Sequence, residues 1–302
     1  MIYLYYNAIV NKNLLDTSWS SPHYTWWDQE IFDGLESDNT KDAYRLAAYL
    51  HDGIERKNKL PYLTHINGSL QKLEQYKQLL WDIDMAQMQM FICLHDVAED
   101  DDIGVELIAK EFGIDTLIDV LWMSVPKKRV RDGVEKLIQR IQKYGVTLEK
   151  FISMHNIVQI GRPTDDGFMD SVISRLEWDW YKQWESIYKD EYIRQPYSSE
   201  ERRDIFAKYI FGAMIENMPE HLFLVKCIER LDNLSDREWL KNPKDSKTYI
   251  RTARLTEDIY CKRLDILGYT EFADTLRSEL AIWVNELQEY VRSQVQKNTT
   301  ST

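Results

Sequence analysis

The chain has 302 residues, of which 44% are apolar and 12% aromatic, enough for one large or two small domains with a substantial hydrophobic core. Its formal net charge of −12 argues against a general nucleic-acid-binding or anionic-membrane surface, but it allows a small polyanionic substrate held by a local basic patch or a metal. With only 7 prolines and 11 glycines, long helices are favoured over strands and tight turns, so the predicted fold class is all-α.

The apolar stretches and the cysteines predict a cytoplasmic protein. No stretch approaches the length of a membrane span, and the apolar start of the chain has no basic region before it. The three cysteines, Cys93, Cys227 and Cys261, form no CxxC pair, and each lies among apolar residues. We expect buried free thiols in a reducing compartment, and neither nucleic acid nor membrane as a partner.

The first part of the chain divides into an N-terminal extension, residues 1–40, and a helical segment, residues 41–128. Thr40 is the predicted N-cap of the first helix of that segment, and a basic loop over residues 54–67 interrupts it. The apolar spacing predicts helices at about 41–52, 68–80, 84–98 and 114–125, and between the last two a helix that carries Val105, Ile108 and Phe112 and ends at Gly113.

Residues 129–199 differ in composition and predict a helical insert, whereas residues 200–302 return to long amphipathic helices. The insert is unusually aromatic, and its large rings are expected to pack in an ordered subdomain that covers a cleft or binds a partner. The rings belong to Trp178, Trp180, Tyr181, Trp184, Tyr188 and Tyr192. Further helices are predicted at about 199–217, 222–234, 248–267 and 271–296.

The stretch FICLHDVAED, residues 91–100, combines an apolar helical run with one imidazole and three carboxylates. Because residues three and four apart share a helix face, His95 aligns with Glu99, and Asp96 aligns with Glu99 and Asp100. Imidazole and carboxylate together suit Mn, Fe or Zn. An ordinary helix with a polar last turn is the alternative interpretation of this stretch.

A second polar pattern interrupts the apolar helix predicted at 222–234. Lys226 and Arg230 lie four residues apart, as do Glu229 and Asn233. A helix that only fills a core has no need for Glu229 and Asn233, so this stripe indicates a site.

Four ordered motifs give the chain a resemblance to a known family. HDGIERKNKLPYLTH at 51–65 is similar to H-x-G-Q-x-R-K-x-G-E-P-Y-x-x-H, and LHDVAED at 94–100 is similar to L-H-D-V-V-E-D. Phe112-Gly113 falls at an F-G pair, and KCIERLDN at 226–233 is similar to K-L-A-D-R-L-H-N. Over about 41–128 and 200–290 the chain thus resembles the RelA/SpoT-type HD-domain alarmone hydrolases, in particular the small stand-alone ones.

The resemblance implies an HD-domain helical bundle with a helical insert and one divalent metal, Mn²⁺. The implied activity is hydrolysis of the 3′-pyrophosphate of guanosine or adenosine tetra- and pentaphosphate alarmones. Carried over position by position, it implies the metal ligands His65, His95, Asp96 and Glu229, the catalytic pair Glu99 and Asp100, and the substrate-binding residues Arg56, Lys57 and Asn233. The family has Asp at the position of Glu229.

Other departures from the family pattern are Ile54 for Gln, Ile66 for Pro, Lys59-Leu60 for Gly-Glu, Asp101 for Thr and Asp232 for His. They leave two alternatives open. One is an HD phosphohydrolase acting on another nucleotide. The other is a catalytically weakened nucleotide-binding or antitoxin-like regulatory module, which Glu229 favours. A homo-oligomer or a protein partner bound through the aromatic insert is compatible with each.

Overall fold

The computed structural model describes residues 27–56, 59–100, 104–124, 212–235, 253 and 256–300. The predictions for the helical insert at 129–199, for Lys57 and for most of the N-terminal extension lie outside these residues. The described part is helical and contains no β-strand, which confirms the all-α class for it. Its helices are α1 (Gln29–Asp33), α2 (Asp38–Leu50), α3 (Leu63–Tyr76), α4 (Met85–Leu94), α5 (Val97–Asp100), α6 (Gly104–Met123), α7 (Gly212–Asn217), α8 (Glu220–Ser235), α9 (Lys262–Leu267) and α10 (Thr270–Thr300). A 3₁₀ turn, Lys77–Leu79, follows α3, and a π-helical turn, Thr256–Cys261, precedes α9.

Helix α2 begins earlier than predicted, and Thr40 is not its cap. Ser37 is the N-cap, because its hydroxyl accepts a hydrogen bond from the backbone N–H of Thr40 at 3.1 Å. The Thr40 hydroxyl instead donates to the carbonyl of Ala86 at 3.0 Å and so ties α2 to α4. Phe32 and Leu35, both inside the predicted extension, are buried in the core. The core therefore starts before residue 41.

Helix α3 begins five residues before the predicted start at 68, which places His65 in its first turn. No capping residue marks this start in the sequence, because Tyr62 stands at the N-cap position without a side-chain hydrogen bond to the backbone. Gly68, which suggested a helix start, lies inside the helix. This correction matters because a helix, and not a loop, holds His65.

The helix predicted at 84–98 is divided in two. It ends at Leu94, a turn holds His95 and Asp96, and α5 follows. The backbone of His95 keeps right-handed helical angles, with φ −57° and ψ −33°, so its side chain still projects from the end of α4. Gly113 breaks α6 as predicted, with φ 89° and ψ 168°, a conformation that only glycine adopts readily.

Helix α8 lies at the centre of the described fold, where it contacts α3, α4, α6 and α10. Phe223, Leu224, Cys227, Ile228 and Leu231 on this helix are completely buried. Within its polar stripe Lys226 is buried and Glu229, Arg230 and Asn233 are partly buried, and the neighbouring Asp232 is buried as well. The residues that the sequence marks as a site therefore lie at the edge of the core.

The cysteines and the apolar helices were the subject of two predictions about the chain. The three cysteines are free and buried, as predicted. No helix in the described ranges is both long and apolar enough to cross a membrane.

Candidate metal centre

Three of the four predicted metal ligands meet where α3, α4 and α8 converge. One ligand atom from each of His65, His95 and Glu229 lies within 4.8 Å of the others. His65 and His95 are buried, and the side chain of Glu229 is 19% exposed. The two imidazole rings lie at a steep angle of 72° with their centroids 5.3 Å apart. Donors from three different helices thus face one small volume.

Asp96, the fourth predicted ligand, adjoins both imidazoles. Its Oδ2 lies 2.8 Å from Nε2 of His95 and 4.0 Å from Nε2 of His65. The hydroxyl of Tyr62 donates a hydrogen bond to the same oxygen. Asp96 is therefore held between the two rings and a phenol, beside the group formed by His65, His95 and Glu229.

The hydrogen bonds behind the two rings orient them in the same way. Nδ1 of His95 lies 2.8 Å from the carbonyl oxygen of Ile92, and Nδ1 of His65 lies 2.5 Å from Oδ2 of Asp232. A carbonyl or carboxylate oxygen accepts, so each Nδ1 carries the proton and each Nε2 is left to face Asp96. Histidines that bind metals are typically held by this type of hydrogen bond. The residues present thus fit a divalent metal ion.

Two buried ion pairs balance the charge of the cluster. Burial disfavours protonated His95, but the adjacent Asp96 carboxylate outweighs burial and raises the pKa of His95 to about 9. Burial likewise disfavours ionised Glu229, but Lys226, with Nζ 2.5 Å from Oε2, brings the pKa of Glu229 to about 2. A cation that binds there therefore competes with the proton on His95 and with Lys226 for the Glu229 carboxylate.

The predicted substrate-binding residues Arg56 and Asn233 contact each other beside this cluster. Nη2 of Arg56 donates to Oδ1 of Asn233 at 3.0 Å, and Nη1 lies 3.9 Å from Oδ2 of Asp232. The amide nitrogen of Asn233 donates to Oε1 of Glu229 at 3.2 Å. Asn233 therefore connects the arginine to a predicted metal ligand.

The predicted catalytic pair lies on α5, directly after the ligands. Glu99 is buried, and its backbone N–H donates to the carbonyl of Asp96 at 3.0 Å. Burial alone lowers the pKa of Lys226, but the carboxylates of Glu229, Asp96 and Glu99 outweigh burial and raise this pKa above its usual value. Glu99 therefore lies close enough to interact electrostatically with Lys226. Asp100 is the last residue of α5, and its side chain lies outside the described part of the structure.

Sequence reasoning missed the roles of Tyr62, Lys226 and Asp232 in this cluster. Asp232 stood out only as a departure from the family pattern, yet it follows Glu229 by three residues and therefore shares its helix face. Tyr62 precedes His65 by the same interval. The interval of three residues from a predicted ligand was therefore the feature by which Asp232 and Tyr62 could have been identified from the sequence.

Comparisons of the chain with protein-family models, with curated proteins and with solved structures found no match.

His51 offers a test of the electrostatics around the cluster. It is buried, and its ring stacks on Tyr62 with centroids 4.3 Å apart. Burial lowers its pKa from 6.5 to about 4. The unfolded chain therefore binds this proton at a higher pH than the folded one, and stability is lost as the pH falls from about 6.5 to about 4. Replacing His51 with Gln should remove this loss, worth about 3 kcal/mol.

The measurement is the free energy of urea unfolding between pH 7 and pH 4, in the presence of a metal chelator. His221→Gln is the matched control, because this histidine is 37% exposed. The pH dependence should become shallower only in His51→Gln. Equal slopes for wild type and His51→Gln would show that His51 is not held neutral.

Proposed function

We propose that the chain is a metal-dependent nucleotide pyrophosphohydrolase with an HD-domain core, which removes the 3′-pyrophosphate of a guanosine or adenosine alarmone with Mn²⁺ as its cofactor. The observation that carries the proposal is the meeting of His65 on α3, His95 at the end of α4 and Glu229 on α8, with Asp96 beside both imidazoles. Both imidazoles are oriented from behind so that Nε2 faces Asp96. This cluster combines motifs that are distant in sequence and that resemble the same family.

The donor set suits a metal of intermediate character. Imidazole nitrogen and carboxylate oxygen together bind Mn, Fe or Zn. Metal–donor bonds of about 2.0–2.2 Å place neighbouring donors about 3 Å apart, which is compatible with the 2.8 Å and 4.0 Å separations around Asp96. A divalent ion held there supplies Lewis acidity toward water and screens the charge of phosphate groups.

The chain's own residues supply the other functions that hydrolysis needs. Glu99, with Asp100 next to it, takes the proton from the attacking water as general base. Arg56 contributes the positive charge for phosphate binding in an otherwise acidic protein, or stacks on the purine. Asn233 positions Arg56 through the 3.0 Å hydrogen bond between them. A bound nucleotide therefore competes with Asn233 and Asp232 for the guanidinium group.

The preference for a 3′-pyrophosphate rests on the resemblance of the motifs, whereas the cluster itself supports phosphate-ester hydrolysis in general. Ile54, Lys59 and Leu60 replace family residues close to Arg56. These replacements support the second candidate, in which the same site acts on another nucleotide.

The third candidate is a nucleotide-binding regulatory module without turnover. One contact favours it: the 2.5 Å ion pair between Lys226 and Glu229 occupies the carboxylate that would be the fourth metal ligand. Turnover separates this candidate from the two enzymes. The protein should release pyrophosphate from guanosine or adenosine tetraphosphate with Mn²⁺, and excess chelator should abolish the reaction.

Glu99→Gln tests the proposed general base. The amide keeps the size of the side chain but cannot accept the proton, so kcat should fall by about 10²–10⁴-fold. The Mn²⁺ content, measured by elemental analysis after gel filtration, should be unchanged because Glu99 is not a ligand. Glu271→Gln, in the first turn of α10, is the control and should keep full activity. If Glu99→Gln keeps its kcat, the general base is a different group.

Arg56→Ala tests the substrate side of the site. A charge-assisted hydrogen bond contributes about 1.5–3 kcal/mol, so the KM for the tetraphosphate should rise by about 10–100-fold with a smaller change in kcat. Arg277→Ala is the control, because Arg277 pairs with Glu257, Asp265 and Asp274 outside the cluster. An unchanged KM together with a large loss of thermal stability would mean that Arg56 has only a structural role.

A further inference from the structure

A carboxylate from α8 lies directly behind one imidazole of the cluster. Oδ2 of Asp232 is 2.5 Å from Nδ1 of His65, and the Asp232 side chain is only 11% exposed. The two residues are 167 positions apart in the chain, so the contact depends on the packing of α8 against α3. A buried carboxylate is expensive to desolvate unless it is paired, which makes this contact specific.

Gly68 provides the space for that carboxylate. A Cβ atom built on Gly68 would lie 2.0 Å from Oδ1 and 2.9 Å from Cγ of Asp232, which is closer than unbonded atoms approach. Glycine inside a helix costs about 1 kcal/mol relative to alanine, and Gly68 lies inside α3, one turn after His65. Glycine fits this position because it has no side chain, whereas a Cβ atom would push the Asp232 carboxylate away from His65.

We propose that Asp232 is a positioning residue of the metal centre, and that Gly68 is the position that admits it. The inference rests on the proposed function, because it assigns Asp232 to the metal-binding form of His65. The carboxylate accepts a hydrogen bond from Nδ1–H, which fixes the tautomer and the direction of Nε2 and makes Nε2 a stronger metal ligand.

The two histidines differ in how they are held. The acceptor behind His95 is the backbone carbonyl of Ile92, which no side-chain substitution removes. The acceptor behind His65 is a side chain, and Nη1 of Arg56 lies 3.9 Å from the same Oδ2. Asp232 therefore contacts both the predicted metal ligand His65 and the predicted nucleotide-binding residue Arg56, and so connects the metal-binding and nucleotide-binding parts of the proposed site.

The test is the affinity of the purified full chain for Mn²⁺, measured by EPR titration, in Asp232→Ala, Gly68→Ala and the double variant. Loss of a residue that orients a metal ligand typically weakens metal binding by 10–100-fold, and we expect this for both single variants. In the double variant, Gly68→Ala should add no further loss, because the carboxylate that it displaces is already absent. Gly34→Ala is the control, since its nearest contact to a built Cβ would be 3.4 Å.

A second measurement separates positioning from general destabilisation. The visible absorption of bound Co²⁺ reports the geometry of the ligands, and it should change in Asp232→Ala at Co²⁺ concentrations that saturate the site. Thermal unfolding in chelator identifies any variant that does not fold. If Gly68→Ala does not fold, Asp232→Ala still tests the positioning role, because this substitution only removes atoms.

The possible results separate the two proposals. If wild type and Asp232→Ala bind Mn²⁺ equally and show the same Co²⁺ spectrum, the positioning role is wrong while the proposed function stands. If the losses from Gly68→Ala and Asp232→Ala add fully in the double variant, Gly68 does not act through Asp232. If wild type binds no Mn²⁺, both the positioning role and the proposed function are wrong.

Discussion

The central constraint in this structure is the burial of charged groups along α8. The helix is enclosed by α3, α4, α6 and α10, and two of its charged residues, Lys226 and Asp232, are buried with its apolar ones, while Glu229 is partly buried. A buried charge is tolerated only when it is paired, and removing one partner of a buried pair typically costs about 3–5 kcal/mol. Lys226 pairs with Glu229, Asp232 with His65, and Asp96 contacts His95. The Asp232–His65 contact joins α8 to α3, and the Asp96 carboxylate, 4.0 Å from Nε2 of His65, adds the end of α4 to this arrangement.

The same pairing makes the cluster suitable for binding an ion. Each imidazole is fixed by a hydrogen bond at Nδ1, so no reorientation is required before Nε2 binds a cation. Buried surroundings strengthen electrostatic interactions, which favours metal binding and, in the proposed function, the capture of a polyphosphate by Arg56. The remaining competition comes from the protein itself, because Lys226 and the proton on His95 already neutralise the carboxylates. In the proposed function, the balance between these cations and a metal separates the enzyme from the regulatory module.

Part of the cluster was predicted from local spacing, whereas His65 and Glu229 were assigned as metal ligands from the resemblance of the motifs. His95, Asp96 and Glu99 are close in sequence, and the four-residue interval between Glu229 and Asn233 placed both on one helix face. The start of α3 was missed because Tyr62 gives no capping signal, and Thr40 was taken as a cap in place of Ser37. The division of the helix after Leu94 was also missed, since apolar spacing does not reveal a turn whose backbone stays helical.

Contacts between distant helices were the least predictable part. Asp232 stood out only as a departure from the family pattern and Gly68 only as a helix start, and their relation to His65 depends on how α8 packs on α3. A local pattern tells which residues share a face, but it does not tell which two faces meet. The pairing of Lys226 with Glu229 was also open, because an interval of three residues permits an ion pair without requiring it.

The most direct test of the account is a crystal structure of the full chain grown with Mn²⁺, with anomalous differences collected at the Mn absorption edge. The account predicts one anomalous peak within bonding distance of Nε2 of His65, Nε2 of His95 and a carboxylate oxygen of Asp96, with Glu229 turned from Lys226 toward the ion. A map without a peak at saturating Mn²⁺, in which His95 still contacts Asp96 and Lys226 still contacts Glu229, would contradict it.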